Sequence, residues 1–404
     1  MDLYAGTPYW MVKNRLWDYY RPLRKDLRTT AVVIGAGITG ALVAHELLRS
    51  GIACCMVDKR TPATGSSCAS TALLQYEIDV PLCRMAKLMP EKDAVTAYRS
   101  CLEAIDELER LFAREKIDAA FRRVPSVFYA SDRKGARLIR EEYDIRRRHA
   151  LPVDYLDRAA LRRTTGIEAP CALYNRVSAQ IDTYRAATGL MKHDLRHAGL
   201  RLFSHTEIVG WERLPDGYLL TAQNGRQIRC DHAIVACGFE ASPFLPMRPM
   251  RLTSTFAVAS HPLDERLLRP ERALVWETRA PYLYVRTDGN RIIVGGEDIP
   301  SDRAAQRSRL LPRKAARLER RFRRLYPDIP FDAELSWAGT FSSTADGLPL
   351  IGAMQDNPRM HYALGYGGNG IVFSMIAARI LTRAIEGRPD PRARLFGPER
   401  PSLR

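Results

Sequence analysis

A chain of 404 residues with a 46% apolar share is too long for one hydrophobic core and too apolar for a disordered protein, so a globular molecule of two lobes is expected. The formal charge of +16 comes mostly from arginine, the eight cysteines show no CxxC spacing, and no apolar run reaches the length of a membrane span. A disulfide framework, a zinc ribbon and a transmembrane helix are thereby set aside, and a reduced, cytoplasmic compartment is expected.

Residues 1–27 are aromatic-rich (Tyr9-Trp10, Trp17 to Tyr20) without clear periodicity and read as an arm packed on the body. Basic residues from Arg21 to Arg28 precede an apolar run, which reads as a strand rather than a secretory core. Thr30 to Lys59 has the order of a βαβ unit: Ala31-Val32-Val33-Ile34, a break at Gly35-Ala36-Gly37-Ile38-Thr39-Gly40, a helix, then Cys54-Cys55-Met56-Val57 ending at Asp58. Such a unit binds a dinucleotide. Gly35 permits the tight turn, Gly37 lets the backbone approach a pyrophosphate, Gly40 lets helix and strand pack closely, and the helix N-terminal amides face the anion. Asp58 falls where a ribose hydroxyl is expected.

Further along, Lys92 to Glu115 places Val95, Tyr98, Leu102, Ile105, Leu108 and Phe112 on one side of an amphipathic helix, and more helix is predicted at Arg133 to His149. Tyr184 to Ala198 reads as a helix, followed by short strands at Arg201 to Trp211, Tyr218 to Gln223 and Ala233 to Ala236. These suit a meander returning to the dinucleotide sheet. Thr253 to Ala259, Ala273 to Glu277, Pro281 to Arg286 and Arg291 to Gly295 form a second, antiparallel sheet, with Asp288-Gly289-Asn290 as a turn. Leu311 to Tyr326 is an amphipathic helix with arginines on its wet face, and most of the positive charge is assigned to such surfaces. An acidic substrate or a nucleic acid remains an alternative use of that charge. Finally, His361 to Glu386 reads as a strand, a glycine cluster from Gly365 to Gly370 and a helix from Ile371, which builds a second anion-ready helix N-terminus. His193 and His197 lie four residues apart on a helix, as in zinc proteases, but no third ligand is evident nearby except His205; a solvated helix and no metal are expected.

Two glycine-rich helix starts at opposite ends of one chain suit FAD, one for the pyrophosphate and one for the isoalloxazine. With these features the chain resembles the D-amino acid oxidase-like superfamily of FAD-dependent oxidoreductases, among them glycine oxidase, sarcosine oxidase and amine dehydrogenases. Four segments carry the likeness. They are Gly35 to Gly40 with Asp58-Lys59-Arg60; the loop Gly65 to Gln75; Thr206-Glu207-Ile208 with Ala233 to Gly238; and Trp337 to Thr340 with Asp346 to Gly352 and Gly365 to Ile371.

The resemblance implies an α/β fold, with a glutathione-reductase-like FAD-binding domain (28–80, 180–245 and 338–404) interleaved with a mostly antiparallel substrate domain (81–179 and 246–337). It implies FAD contacts at Ser66, Ser67, Ala69, Ser70, Thr71, Leu74 and Gln75 of the flavin loop. Further contacts fall at Ile208, Ala236, Gly238 and Gly339, and at Gly367, Gly368, Asn369, Gly370 and Ile371. The expected activity is oxidation of a C–N bond of an amine or amino acid by hydride transfer to flavin N5.

Departures from the family pattern qualify this. Thr340-Phe341 stands where relatives place a carboxylate-gripping arginine, which leaves Arg286 either as a substitute grip or as an ordinary surface or flavin-side arginine; Tyr76, Glu77, Asp79, Tyr284, Trp337 and Phe341 are the other cavity candidates, each also readable as an ordinary sheet or core residue. No histidine in Ser66 to Thr71 and no cysteine near Gly367 implies non-covalent FAD. From His193 onward the only lysine is Lys314, in a helix read as surface, which tilts the expectation from oxidase toward dehydrogenase. A flavoenzyme acting on wobble uridine of tRNA and a non-catalytic FAD-binding subunit of a hetero-oligomer are the competing readings. The oligomeric state is left open.

Overall fold

In a computed structural model, residues 3–15, 19–245, 250–268 and 272–403 are described. Strand Leu27–Ile34 pairs in parallel with Cys54–Val57 on one side and with Gln227–Val235 on the other; Arg201–Phe203 extends the first side in parallel. Strands buried on both faces must be apolar throughout, which is why Ala31 to Ile34 and Cys54 to Val57 are unbroken apolar runs. Ile208–Leu214 and Gly217–Ala222 form the expected meander that returns antiparallel onto Gln227–Val235, while Asn357–Leu364 joins the latter in parallel. Ala31, Val33, Cys54 and Met56 face a core shared with helices Ile38–Arg49, Thr183–His197 and Gly370–Ile385; Val32, Ile34, Cys55 and Val57 face Tyr218, Leu220 and Phe244 on the other side.

Among the described residues the second sheet has nine strands, in the order Tyr4–Gly6, Ala333–Ser343, Arg251–Ser260, Arg291–Ile299, Tyr284–Asp288, Leu274–Glu277, Ser126–Tyr129, Cys171–Asn175 and Asp154–Asp157. Its pairing is antiparallel apart from Leu274–Glu277 on Ser126–Tyr129. Asp288 pairs with Arg291 across the Gly289-Asn290 turn, where Gly289 takes a φ of +57° that a Cβ would resist. Helix Ala304–Leu325 lays Leu311, Ala315, Leu318 and Phe322 against this sheet.

Several features differ from the sequence expectations. The arm is not featureless: Tyr4–Gly6 adds an edge strand to Ala333–Ser343, and Tyr9–Asn14 is a helix with Trp10 fully buried. Three residues are too short for a period to register, so only the partner strand reveals them. Trp17 lies outside the described residues. Strand Ala333–Ser343 crosses the boundary drawn at 337/338, because sheet pairing continues where the family motif begins. The helix expected from Leu311 begins at Ala304 and carries Pro312 inside it, and Lys314 faces inward, donating to the Glu297 carbonyl at 2.7 Å, rather than outward to solvent. Among the described residues no helix is long and apolar enough to cross a membrane.

Candidate active site

A cavity of about 340 Å³ runs from the Gly35 turn to the Gly367–Asn369 turn between the two sheets. At its first end Gly35 has φ +111° and a Cβ there would lie 2.6 Å from the Ala236 carbonyl oxygen; one at Gly40 would lie 1.9 Å from the Gly35 oxygen. Glycine is therefore required for strand and helix to meet. The Ile38 N–H donates to Ser67 Oγ at 2.9 Å, which joins the helix start to the flavin-side loop. Asp58 closes the second strand and accepts N–H bonds from Ala36 and Arg60, both at 2.7 Å. Burial raises its pKa, opposed by those two bonds. Lys59 and Arg60 both reach Glu240, at 2.8 and 2.7 Å.

At the other end the Gly368 N–H donates to Asp79 Oδ2 at 2.7 Å, and Cβ atoms at Gly367 or Gly368 would come within 2.6 and 2.7 Å of that carboxylate. Asn369 donates its side-chain amide to the Gln75 and Glu77 carbonyls at 3.1 and 2.7 Å, and Thr39 Oγ1 bonds Ser374 Oγ at 2.8 Å. Two helix starts separated by some 330 residues of chain are thus pinned around one cavity. Glycine-lined helix starts at both ends, with a continuous space between, fit a dinucleotide whose pyrophosphate and ring system lie apart.

Of the cofactor candidates, Gly35, Gly37, Ile38, Thr39, Asp58, Lys59, Arg60, Ser66, Ser67, Ala69, Ser70, Thr71, Gln75, Ile208, Ala236, Gly238, Gly339 and Gly367 to Ile371 line this cavity. Ala36, Gly40 and Leu74 sit behind it, shaping backbone.

The cavity candidates divide. Tyr284 and Phe341 line the space. Tyr76, Arg286 and Trp337 do not, and each is committed elsewhere. Tyr76 is buried and donates its hydroxyl to the Pro152 carbonyl at 2.8 Å. Trp337 donates its indole N–H to the Ala69 carbonyl at 2.8 Å. Arg286, fully buried and lowered to about 10 by desolvation, donates to the Thr71, Ala72 and Ile181 carbonyls at 2.9, 3.1 and 2.9 Å. Together with the Trp10 indole on the Ser70 carbonyl at 2.6 Å, Trp337 and Arg286 clamp the loop from behind. Arg286 is consequently no anion grip: its donors are spent.

Trp276, Tyr282 and Asp298, which sequence reasoning passed over, complete the far wall with the candidates Glu77, Asp79 and Tyr284. Tyr282 donates to Asp79 Oδ1 at 3.2 Å, and Trp276, Tyr282 and Tyr284 form a series of ring contacts, at 6.3 and 5.8 Å. A Cβ at Gly295 would penetrate the Tyr284 ring, so the glycine pair Gly295-Gly296 was the available signal for an aromatic residue lying across the strand. Asp298 follows that pair. Its Oδ1 is shielded and accepts no hydrogen bond among the described residues, and burial pushes the carboxyl up to about 6, with Asp79 adding to the rise and Thr255 opposing it. Enclosure by the cavity walls also raises Asp79, against its bonds from Gly368 and Tyr282. Glu77 lines the cavity too, but its Oε1 is taken by Arg146 and Asn175 at 3.2 and 2.6 Å. Among the described residues, the lysine and arginine lining the cavity are Lys59 and Arg60, at the Asp58 end.

A dinucleotide turn and a second glycine-lined helix start opening on one cavity define a nucleotide-dependent redox protein. Residues 30–384 match the family described as FAD dependent oxidoreductase (DAO), and the chain belongs to that family. Glycine oxidase of Geobacillus kaustophilus (strain HTA426) is 24% identical over 372 residues, which is 89% of this chain and 93% of that enzyme. The tRNA 5-methylaminomethyl-2-thiouridine biosynthesis bifunctional protein MnmC of Thiobacillus denitrificans is 23% identical over 373 residues, 89% of this chain and 56% of that protein. In fold the chain is similar to L-proline dehydrogenase from P. horikoshii, with a TM-score of 0.76 and 17% identity over 92% of this chain and 97% of that one. The protein is thus an FAD-dependent oxidoreductase.

Proposed function

We propose that this enzyme oxidises a C–N bond of a cationic amine that carries no carboxylate beside the reacting carbon. The observation that carries the reading is the charge of the far wall: Asp79 and Asp298 face the cavity there, and no cationic side chain among the described residues does so. FAD, when bound, accepts a hydride equivalent from the carbon next to nitrogen. For that, the nitrogen must be neutral. Asp298 lines the cavity there, and its carboxylate is assigned to take a proton from the arriving ammonium and so leave the amine its lone pair. Asp79 lies beside it, its carboxylate form favoured by the Gly368 N–H and Tyr282 hydroxyl against the opposing effect of burial. Trp276, Tyr282, Tyr284 and Phe341 supply apolar walls that exclude water and favour cations over their ring faces. An amino-acid carboxylate would meet these acids without a counter-charge, which disfavours the glycine-type substrates of the relatives. Lys314 does not line the cavity, so no lysine is assigned to oxygen activation, and a dehydrogenase is favoured over an oxidase.

The test is anaerobic titration of the FAD-loaded protein with alkylamines and diamines beside glycine, sarcosine and proline, watching the visible flavin band, followed by air. Bleaching by amines and not by amino acids, with slow recovery in air, supports the reading. Bleaching by amino acids alone overturns it. A second reading, a flavoenzyme acting on tRNA, draws on the likeness to the bifunctional tRNA-modifying protein and on the charge of +16. It requires tRNA binding that weakens steeply with salt.

A further inference from the structure

The His193 pattern finds its partners in space rather than along the chain. Helix Thr183–His197 sets His193 beside Asp194, helix Ile38–Arg49 brings His45 against both, and Glu115 arrives from the end of helix Glu91–Arg114. None of the four lines the cavity. His45 and Asp194 are 3% and 1% exposed. The two Nδ1 atoms approach one oxygen, Asp194 Oδ1, at 2.9 Å from His45 and 3.1 Å from His193; on their far edges His193 Nε2 and His45 Nε2 face Glu115 at 3.2 and 3.8 Å.

A neutral imidazole has one N–H for its two nitrogens. If both rings carry it on Nδ1, two lone pairs face Glu115; if both carry it on Nε2, two lone pairs face Asp194. Either way a carboxylate meets lone pairs unless a cation intervenes. Glu115 already has Arg114 at 2.5 Å. Asp194 has no such partner: its Oδ2, fully buried, accepts nothing among the described residues. Even with both Nδ1–H groups donated to Asp194 Oδ1, its buried Oδ2 is left without a partner among the described residues, and that is the unsatisfied acceptor of the cluster.

We propose that His45 Nδ1, His193 Nδ1 and Asp194 bind a divalent transition-metal ion, of the zinc type, with Glu115 as the outer carboxylate that receives the His193 Nε2–H group. One donor atom from each of the three lies within 4.8 Å of the others, and the two nitrogen–carboxylate separations, 2.9 and 3.1 Å, fall within about half an ångström of those between adjacent ligands on an ion with bonds of about 2.1 Å. An imidazole–imidazole–carboxylate set suits zinc and its neighbours over calcium or magnesium, and a carboxylate behind a ligating histidine is the usual support. Remote from the cavity, the ion joins the dinucleotide helix to Thr183–His197, and its role is structural.

The test uses untagged, FAD-loaded protein dialysed against zinc and gel-filtered, with metal measured by mass spectrometry and melting followed with and without chelator. One zinc per chain, a melting temperature lowered several degrees by chelator, and loss of both effects in His193→Ala and Asp194→Asn with FAD retained are expected. His197→Ala should keep its zinc. Background zinc and unchanged melting in the wild-type protein would overturn the proposal, leaving a pair of protonated imidazoles; so would zinc retained by His193→Ala but lost from His197→Ala.

Discussion

Replacing Asp298 by Asn keeps the shape of the side chain and removes its charge, and the effects on catalysis and on stability should have opposite signs. The carboxyl is raised from 3.8 to about 6, chiefly by burial. Between these values the folded protein holds a proton that the unfolded chain has released, so stability falls as pH rises. The contribution is full below the unfolded value and lost as pH climbs through the folded one, at a cost of about 3 kcal/mol by neutrality, from roughly two pKa units at about 1.4 kcal/mol each. Asp298→Asn should therefore melt higher than wild type at about pH 8 and lose that advantage at about pH 4. Catalysis moves the other way. An ammonium about 4 Å from a carboxylate gains about 4 kcal/mol at an effective dielectric near 20, so kcat/KM for anaerobic flavin reduction should drop by about a hundredfold or more after screening is allowed for. The wild-type rate should also fall as pH drops through about 6, and the variant should lack that acid limb. Stopped-flow reduction across pH, paired with melting curves, measures both. A folded, FAD-loaded variant with wild-type rates and pH profile would refute the role given to Asp298.

Three other substitutions bear on the cavity. Phe341→Arg places a cation at the anionic wall, and the ratio of amino-acid to amine turnover should rise in paired assays; no change would argue that Phe341 is remote from the substrate. Gly40→Ala drives a methyl to within 1.9 Å of the Gly35 carbonyl oxygen, so strand and helix must separate, and purified protein should lose FAD or fail to fold, as read from its flavin absorbance. Arg286→Met strips donors from the Thr71, Ala72 and Ile181 carbonyls. At about 1–3 kcal/mol per buried unpaired group, melting should drop markedly and FAD should dissociate more readily, whatever the substrate; a selective change in amino-acid turnover would instead restore the anion-grip reading.

The chain alone determined those features whose causes are local. The Gly35 to Gly40 turn is written by steric limits on neighbouring backbone, Glu91–Arg114 by a helical repeat of apolar side chains, and Gly289-Asn290 by the conformation a tight hairpin demands. These sufficed for an α/β flavoprotein with glycine-lined starts at both ends. What a long side chain does once the chain closes has no local cause. Arg286, Tyr76 and Trp337 sit on or beside strands where cavity and core are one register step apart, and only packing sent Arg286 and Trp337 behind the loop and Tyr76 onto the Pro152 carbonyl. Asp298 and Asp79 become a shared anionic wall across more than two hundred residues of chain, as do His45 and Asp194 across nearly one hundred and fifty in their own cluster. Charge acts through distance and dielectric, which tertiary structure alone supplies.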